Sequence, residues 1–195
     1  MKNFVGVKTS GFKHIFEVAF IALFSALLFI LNFTIAWIPN VELGTTLMMI
    51  CAISFKKRVS FGIVNVYCLL NLIFYGTNDD NLMYFVVFNL YAAIMYLLKN
   101  FLINNKFYFI LIVAIFGYSF GSWFALEKWC LYGKTFAISY WFNGLIFDLI
   151  HGTANSLISF VLYDKVLKLF SNIEQEYFFI FNKNFTKKYK PKYVI

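Results

Sequence analysis

Three polar residues inside one long apolar stretch are the strongest candidates for chemistry in this sequence. Asp148, His151 and Asn155 lie within residues 135–163, and the first two are the ionisable groups of that stretch. Their spacing of i, i+3 and i+7 places all three on one face of a helix. An ionisable group at membrane depth is costly and usually faces a cavity, a partner or a pathway. The pattern predicts a ligand-contacting face or an acid–base pair, and the alternative is that the residues satisfy one another inside a helix bundle.

Other catalytic chemistry finds little support in the sequence. A catalytic zinc site needs three protein ligands, whereas Asp148 and His151 supply two and only the distant Glu42 and His14 remain to help. The sequence contains no HExxH, GxSxG, Walker A or glycine-rich phosphate-binding motif. We therefore expect no metal site, no cofactor, no ATP hydrolysis and no enzyme activity. An intramembrane enzyme that uses Asp148 or His151 as its base is the alternative.

The composition is that of an integral membrane protein. Of the 195 residues, 62% are hydrophobic and 13% are charged, against about half and a quarter in soluble domains. Six spans of about 20 residues would use roughly 120 residues and leave only short loops. A large soluble domain is therefore excluded, and we predict an all-α integral membrane protein.

The uncharged runs predict six transmembrane helices. The first run, residues 18–41, is too long for the apolar part of a secretory signal, so we expect it to be retained as a helix. The second helix must begin near Pro39, since its own uncharged run is short. The six predicted spans cover residues 18–41, 39–55, 59–78, 82–98, 107–126 and 135–163.

The basic residues predict the orientation of these helices. With the N-terminus inside, 15 of the 17 lysines and arginines are cytoplasmic, and only Lys128 and Lys134 are outside. Both termini are then cytoplasmic, and the loop with Asp79 and Asp80 is outside. The net charge of +8 is explained by this topology and by attraction to anionic lipid, so we expect no nucleic-acid partner. We assign residues 1–170 to a six-helix transmembrane domain and residues 171–195 to a polar, basic cytoplasmic tail.

The tryptophans cluster at the predicted outer end of the bundle. A membrane-interface belt explains such a one-sided distribution without any ligand. An outward-facing pocket for a flat organic ligand is an equal alternative. The residues concerned are Trp37, Trp123, Trp129 and Trp141.

Small residues recur at helical spacing in two of the predicted helices. Ala19, Ala22 and Ala26 lie on one stripe of the first helix, and Gly117 and Gly121 are four residues apart in the fifth. Such patterns allow the backbone of another helix to approach closely. They are weak signals when taken alone.

Together, four features resemble the substrate-binding S component of energy-coupling factor (ECF) vitamin transporters. These are the six spans with both ends inside, the Ala22-xxx-Ala26 pattern, the segment PNVEL at 39–43 and the segment FDLIHG at 147–152. The last two segments look like those of a branch associated with cobalamin. The resemblance covers about residues 12–169, and the chain departs from it at Val41, where isoleucine is expected, and in its long polar tail.

The resemblance implies a six-helix bundle of the cell membrane without ATPase activity. Such a bundle captures a vitamin, with cobalamin favoured here, at its outer face between helices 4 to 6 and the outer loops. Its partners are a transmembrane coupling subunit, on which Ala19, Ala22 and Ala26 would dock, and two cytoplasmic ATPase subunits. The candidate substrate-binding residues are Trp37, Asn40, Asn89, Trp123, Tyr140, Trp141, Asp148 and His151.

Two other function classes compete with this interpretation. An intramembrane enzyme would use Asp148 and His151 and would turn over its substrate without partner proteins. A small secondary transporter is the weaker alternative, because the sequence shows neither an inverted repeat nor a pair of broken helices.

Overall fold

The chain folds into helices, with no β-strand among the residues that the structure describes. The computed structural model describes the backbone of residues 9–177 and the side chains of residues 14–170 and 172. The helices are α1 (Thr9–Ile35), α2 (Leu43–Ser54), α3 (Lys57–Tyr75), α4 (Asp79–Leu102), α5 (Lys106–Tyr118), α6 (Phe120–Tyr132) and α7 (Lys134–Tyr177). This confirms the predicted all-α class.

Five helical stretches of the described chain are long and apolar enough to cross a membrane. They are His14–Ile35, Lys57–Tyr75, Asp79–Leu102, Lys106–Tyr132, which joins α5 and α6, and Lys134–Phe170. These stretches are compatible with a multi-pass membrane protein. Below, the end of the bundle that carries the turns at 36–42, 76–78 and 133 is called the outer end, following the predicted orientation.

Helix α2 is the short element around which α1, α3, α4 and α7 pack. Its 12 residues rise only about 18 Å, less than the roughly 30 Å of a hydrocarbon core. Every residue from Gly44 to Ser54 is buried, and the helix contacts α1, α3, α4 and α7. Because protein rather than lipid surrounds it, a helix this short can lie at membrane depth. The second predicted span is thus a half-length helix that begins at Leu43 rather than near Pro39.

Asn32 of α1 fixes the start of this central helix. Its side-chain oxygen accepts the Gly44 N–H at 2.7 Å, and its amide donates to the Tyr67 hydroxyl at 2.6 Å. A Cβ at position 44 would lie 2.5 Å from the Asn32 amide nitrogen, so glycine is what allows α1 to come this close. The Thr45 hydroxyl donates to Glu42 at 2.7 Å. Asn32 thus satisfies one of the N–H groups that a helix start leaves open.

Helix α7 is longer than a single membrane crossing. Its 44 residues rise about 66 Å, and the helix packs along α5, α6 and α2. It passes the predicted domain boundary at residue 170 without a break and continues to Tyr177. Residues 178–195, the rest of the predicted tail, lie outside the described residues, as do residues 1–8.

Lys128 ties the start of α4 to α6 at the outer end. Its ammonium lies 2.5 Å from an Asp79 oxygen, 2.6 Å from an Asp80 oxygen and 3.2 Å from a Glu127 oxygen, and the residue is 5% exposed. The three carboxylates compensate the charge of this buried ammonium, which would be costly to bury without partners. Lys128, one of the two lysines predicted to be outside, therefore forms structural ion pairs at the outer end of the bundle.

The topology predicts opposite accessibility of two exposed loop positions. In a Cys130→Ser background, we expect Thr77→Cys to react with a membrane-impermeant maleimide in intact cells, because it lies in the α3–α4 turn. Asn104→Cys, in the α4–α5 turn at the other end, should react only after permeabilisation. Both wild-type residues are exposed, so accessibility within the protein is matched. The reverse pattern would contradict the predicted orientation.

Candidate functional site

A break at Ser119 divides the predicted fifth span into α5 and α6. Ser119 has φ −97° and ψ 0°, so the helix ladder is interrupted there. A Cβ at Gly117 would lie 2.6 Å from the Gly152 Cα, so α5 and α7 meet backbone to backbone at this level. The Tyr91 hydroxyl donates to the Phe116 carbonyl at 3.0 Å. The Tyr91 hydroxyl thus supplies a hydrogen-bond donor to a carbonyl at the end of α5, where the backbone hydrogen bonds of the helix stop.

The break gives the first turn of α6 a partner on α7. The Gly121 N–H donates to Asp148 Oδ1 at 2.8 Å. The first N–H groups of a helix have no acceptor within it, and a carboxylate is favourable at that end. A Cβ at position 121 would lie 2.7 Å from Asp148 Oδ2, so only glycine leaves room for the carboxylate. The predicted Gly117-xxx-Gly121 pattern therefore serves a contact within the chain and positions Asp148.

Asp148 keeps one oxygen for another partner. The residue is 7% exposed, and Oδ2 has no hydrogen-bond partner among the described residues. Leaving a buried polar group unsatisfied is costly. This oxygen is therefore the place in the site where a donor from a ligand or a water would gain most.

A cavity of about 520 Å³ opens beside Asp148 at the outer end. This volume is within the range of roughly 300–1,000 Å³ found for small-molecule sites. Six aromatic rings, two carboxylates and several neutral polar groups form its wall. The wall consists of Asn40, Asp80, Tyr84, Phe120, Gly121, Phe124, Phe136, Ser139, Tyr140, Asn143, Gly144, Phe147 and Asp148.

The structure brings three of the eight predicted binding residues together at this cavity. Asn40 enters from the turn between α1 and α2, where it adopts a left-handed φ of 56° that asparagine tolerates better than most residues. Tyr140 and Asp148 lie two turns apart on α7, on the face that lines the cavity. The predicted loop and the predicted helix thus meet at one site.

The three predicted tryptophans lie outside this cavity wall. Trp37 is 79% exposed, and Trp141 is also exposed and donates its indole N–H to Ser122 at 3.1 Å. Trp129 and Trp141 both line a separate, largely apolar groove between α6 and α7. Trp123 is partly buried and packs against the hydrophobic core. The exposed tryptophans therefore fit the interface belt better than the ligand pocket.

Asn89 also lies away from the cavity and pairs with a neighbouring helix. Its side-chain amide donates to Asn65 at 3.0 Å and accepts from it at 3.1 Å, which joins α4 to α3. Reciprocal amide pairing satisfies both groups. The geometry supports a structural role for this residue.

His151 and Asn155 continue the polar face of α7 beneath Asp148. They are 1% and 0% exposed, and neither belongs to the cavity wall. His151 Nε2 and both amide atoms of Asn155 have no partner among the described residues, and the His151 ring lies edge-on to Phe120 with centroids 4.8 Å apart. Of these two ionisable residues, Asp148 belongs to the cavity wall and His151 lies beneath it.

Several wall residues were missed in the sequence analysis, although a helical signal for them existed. Steps of four residues back from Asp148 reach Gly144 and Tyr140, and Asn143 lies beside them. Asp80 was assigned to an outer loop, and nothing in the sequence joins that loop to α7. The role of Lys128 was also missed, because the fold is needed to bring Asp79 and Asp80 next to it.

The acidic cluster at Lys128 has the donors of a cation site. Carboxylate oxygens of Asp79, Asp80 and Glu127 lie within 4.8 Å of one another. The Lys128 ammonium is within ion-pair distance of all three, so the cluster already contains a cation of its own. We assign no metal to it.

No protein-family model, curated protein or solved structure matches this chain. The family to which the chain belongs is therefore a proposal, which rests on the sequence segments and on the geometry of the site.

Two glycines of the cavity wall provide a matched test of how Asp148 is held. We expect Gly121→Ala to lower the melting temperature by several degrees, because its methyl group would displace the Asp148 carboxylate and break the 2.8 Å bond. Gly144→Ala meets no atom within 4 Å. It should leave the melting temperature unchanged or raise it, since alanine is favoured over glycine in helices by about 0.5–1 kcal/mol. Thermal unfolding of the purified protein measures both, and equal effects of the two substitutions would contradict the assignment.

Proposed function

We propose that this protein is the substrate-capture subunit of an ECF-type importer, which binds a vitamin-like small molecule at the outer face of the cell membrane. The observation that carries the proposal is the cavity between α4, α6, α7 and the turn at 36–42. The resemblance implies ligand capture between predicted helices 4 to 6, which correspond to α4, the broken helix α5–α6 and α7. The protein then delivers its ligand through a transmembrane coupling subunit and two cytoplasmic ATPases.

The exposed face of α1 supports the proposed docking of a coupling subunit. Ala19 and Ala22 are exposed and Ala26 is half-buried, and the adjacent Leu23 is 73% exposed. Ser25, which lies beside the stripe at three residues from Ala22, is fully buried and donates to the Ile63 carbonyl of α3 at 3.0 Å. The bundle therefore packs up to the edge of the stripe and leaves Ala19 and Ala22 exposed. A face of small residues allows a partner helix to approach closely in lipid, where dispersion contacts must supply much of the association.

The size of the cavity bears on the choice of ligand. At about 520 Å³, the cavity is suited to a ligand of one to three fused rings. Cobalamin, with a corrin ring and an appended nucleotide, would extend beyond the opening. The proposal therefore moves from cobalamin, which the sequence segments favour, to a smaller vitamin-like molecule.

The docking face predicts a variant that separates transport from binding. Ala22→Trp should abolish co-purification of the full chain with a coupling subunit and ATPases, and abolish uptake, because the indole would hold the partner helix away. Dispersion contacts of roughly 0.1–0.2 kcal/mol each are then lost in large number. Ligand affinity should stay within a few-fold, since the cavity is formed by other helices.

Leu97→Trp is the matched control, because Leu97 is a 79% exposed residue of α4. This variant should keep its partners and its uptake. Normal transport by Ala22→Trp would show that α1 is not the docking face. If neither a coupling subunit nor an ATPase co-purifies with the wild-type protein, the proposed function itself is contradicted.

A further inference from the structure

The charged side chains of the cavity wall are all acidic. Asp80 and Asp148 contribute carboxylates, and among the described residues no lysine or arginine lines the cavity. Lys128 lies 5.8 Å from the centroid of the Tyr140 ring, but three carboxylates already surround its ammonium. The surroundings of the cavity thus carry more negative than positive charge. An anionic ligand would have to be desolvated next to like charges, which is unfavourable.

Asp148 presents a specific acceptor within this field. One carboxylate oxygen is held by the Gly121 N–H at 2.8 Å, which fixes the carboxylate plane, and the other has no partner. The residue is 93% buried, so a donor that reaches Oδ2 would form its bond away from bulk water. Charge-assisted hydrogen bonds are stronger than neutral ones, and more so where water is excluded.

The rest of the wall favours a flat ring. Six aromatic side chains contribute to it, from α4, α6 and α7. Aromatic walls bind planar ligands through stacked and edge contacts, and their faces also attract cations. Neutral groups of Asn40, Ser139 and Asn143 provide further hydrogen bonds for orientation.

We infer that the cavity binds a flat aromatic ligand with a cationic or doubly N–H-donating edge, of the amidine or aminopyrimidine type, directed at Asp148. This inference rests on the proposed function for ligand capture at the outer face but not for coupling to ATPases. It excludes vitamins whose buried end is a carboxylate.

Three probes of one size and shape test the inference on the purified full-length protein. Benzamidine presents two N–H donors and a positive charge, benzamide is neutral, and benzoate is an anion with acceptors only. We expect dissociation constants, measured by ligand-observed NMR titration, to rise in that order. Benzamidine should bind at least tenfold more tightly than benzoate.

Variants assign this preference to a single residue. Asp148→Asn keeps an oxygen for the Gly121 N–H and should weaken benzamidine binding at least tenfold while changing benzamide binding little. Asp164→Asn is the matched control on the same helix, because Asp164 is 67% exposed and pairs with Lys106. It should bind all three probes as the wild type does.

Each result decides the inference. Benzoate binding as tightly as benzamidine, no binding of benzamidine, or unchanged benzamidine binding by folded Asp148→Asn would overturn it. If Asp148→Asn does not fold, the order of the three probes on wild-type protein still decides. Asp148-dependent benzamidine binding by a protein that never associates with a coupling subunit would support this inference while the proposed function fails.

Discussion

The close approach of α7 to the broken helix α5–α6 is the constraint on which the site depends. Gly117 and Gly152 bring the two backbones together, and Gly121 leaves the space that the Asp148 carboxylate occupies. The break at Ser119 turns Gly121 into a residue of a helix start, whose N–H group needs an outside acceptor. One oxygen of Asp148 satisfies that need, and the other has no hydrogen-bond partner among the described residues. Helix geometry thus explains both why a carboxylate is tolerated at this depth and why it is only half satisfied.

The rest of the bundle can be understood as support for this junction. The short helix α2 is enclosed by its neighbours, and Asn32 fixes its start, so the turn at 36–42 carries Asn40 to the cavity. Lys128 holds the start of α4 against α6, which brings Asp80 into the same wall. At the same time Ala19 and Ala22 of α1 remain exposed. A cavity at one end and exposed small residues on one helix face are what the proposed capture subunit requires.

Much of the fold was predictable because membrane helices follow from uncharged runs, and the site was predictable only in part. The spacing of Asp148, His151 and Asn155 correctly predicted one buried polar face of α7. It did not predict that His151 lies beneath the cavity wall. The floor of the cavity is set by the start of α6, where Phe120 contacts the His151 ring, and the sequence does not show where α6 begins. The half-length of α2 and the break at Ser119 were missed, since both arise from tertiary contacts rather than from local composition. The tryptophans were ambiguous in the sequence because a lipid interface and a ligand pocket select the same side chains.

The central claim is that the free oxygen of Asp148 anchors a small molecule in the outer cavity. Native mass spectrometry of the full chain, extracted from its own cells, tests this claim directly, because a tightly held ligand remains bound and its mass identifies it. The account predicts an aromatic, nitrogen-rich molecule without a buried carboxylate, present on wild-type protein and absent from Asp148→Asn. A bound carboxylic acid, or a ligand retained in full by Asp148→Asn, would contradict it.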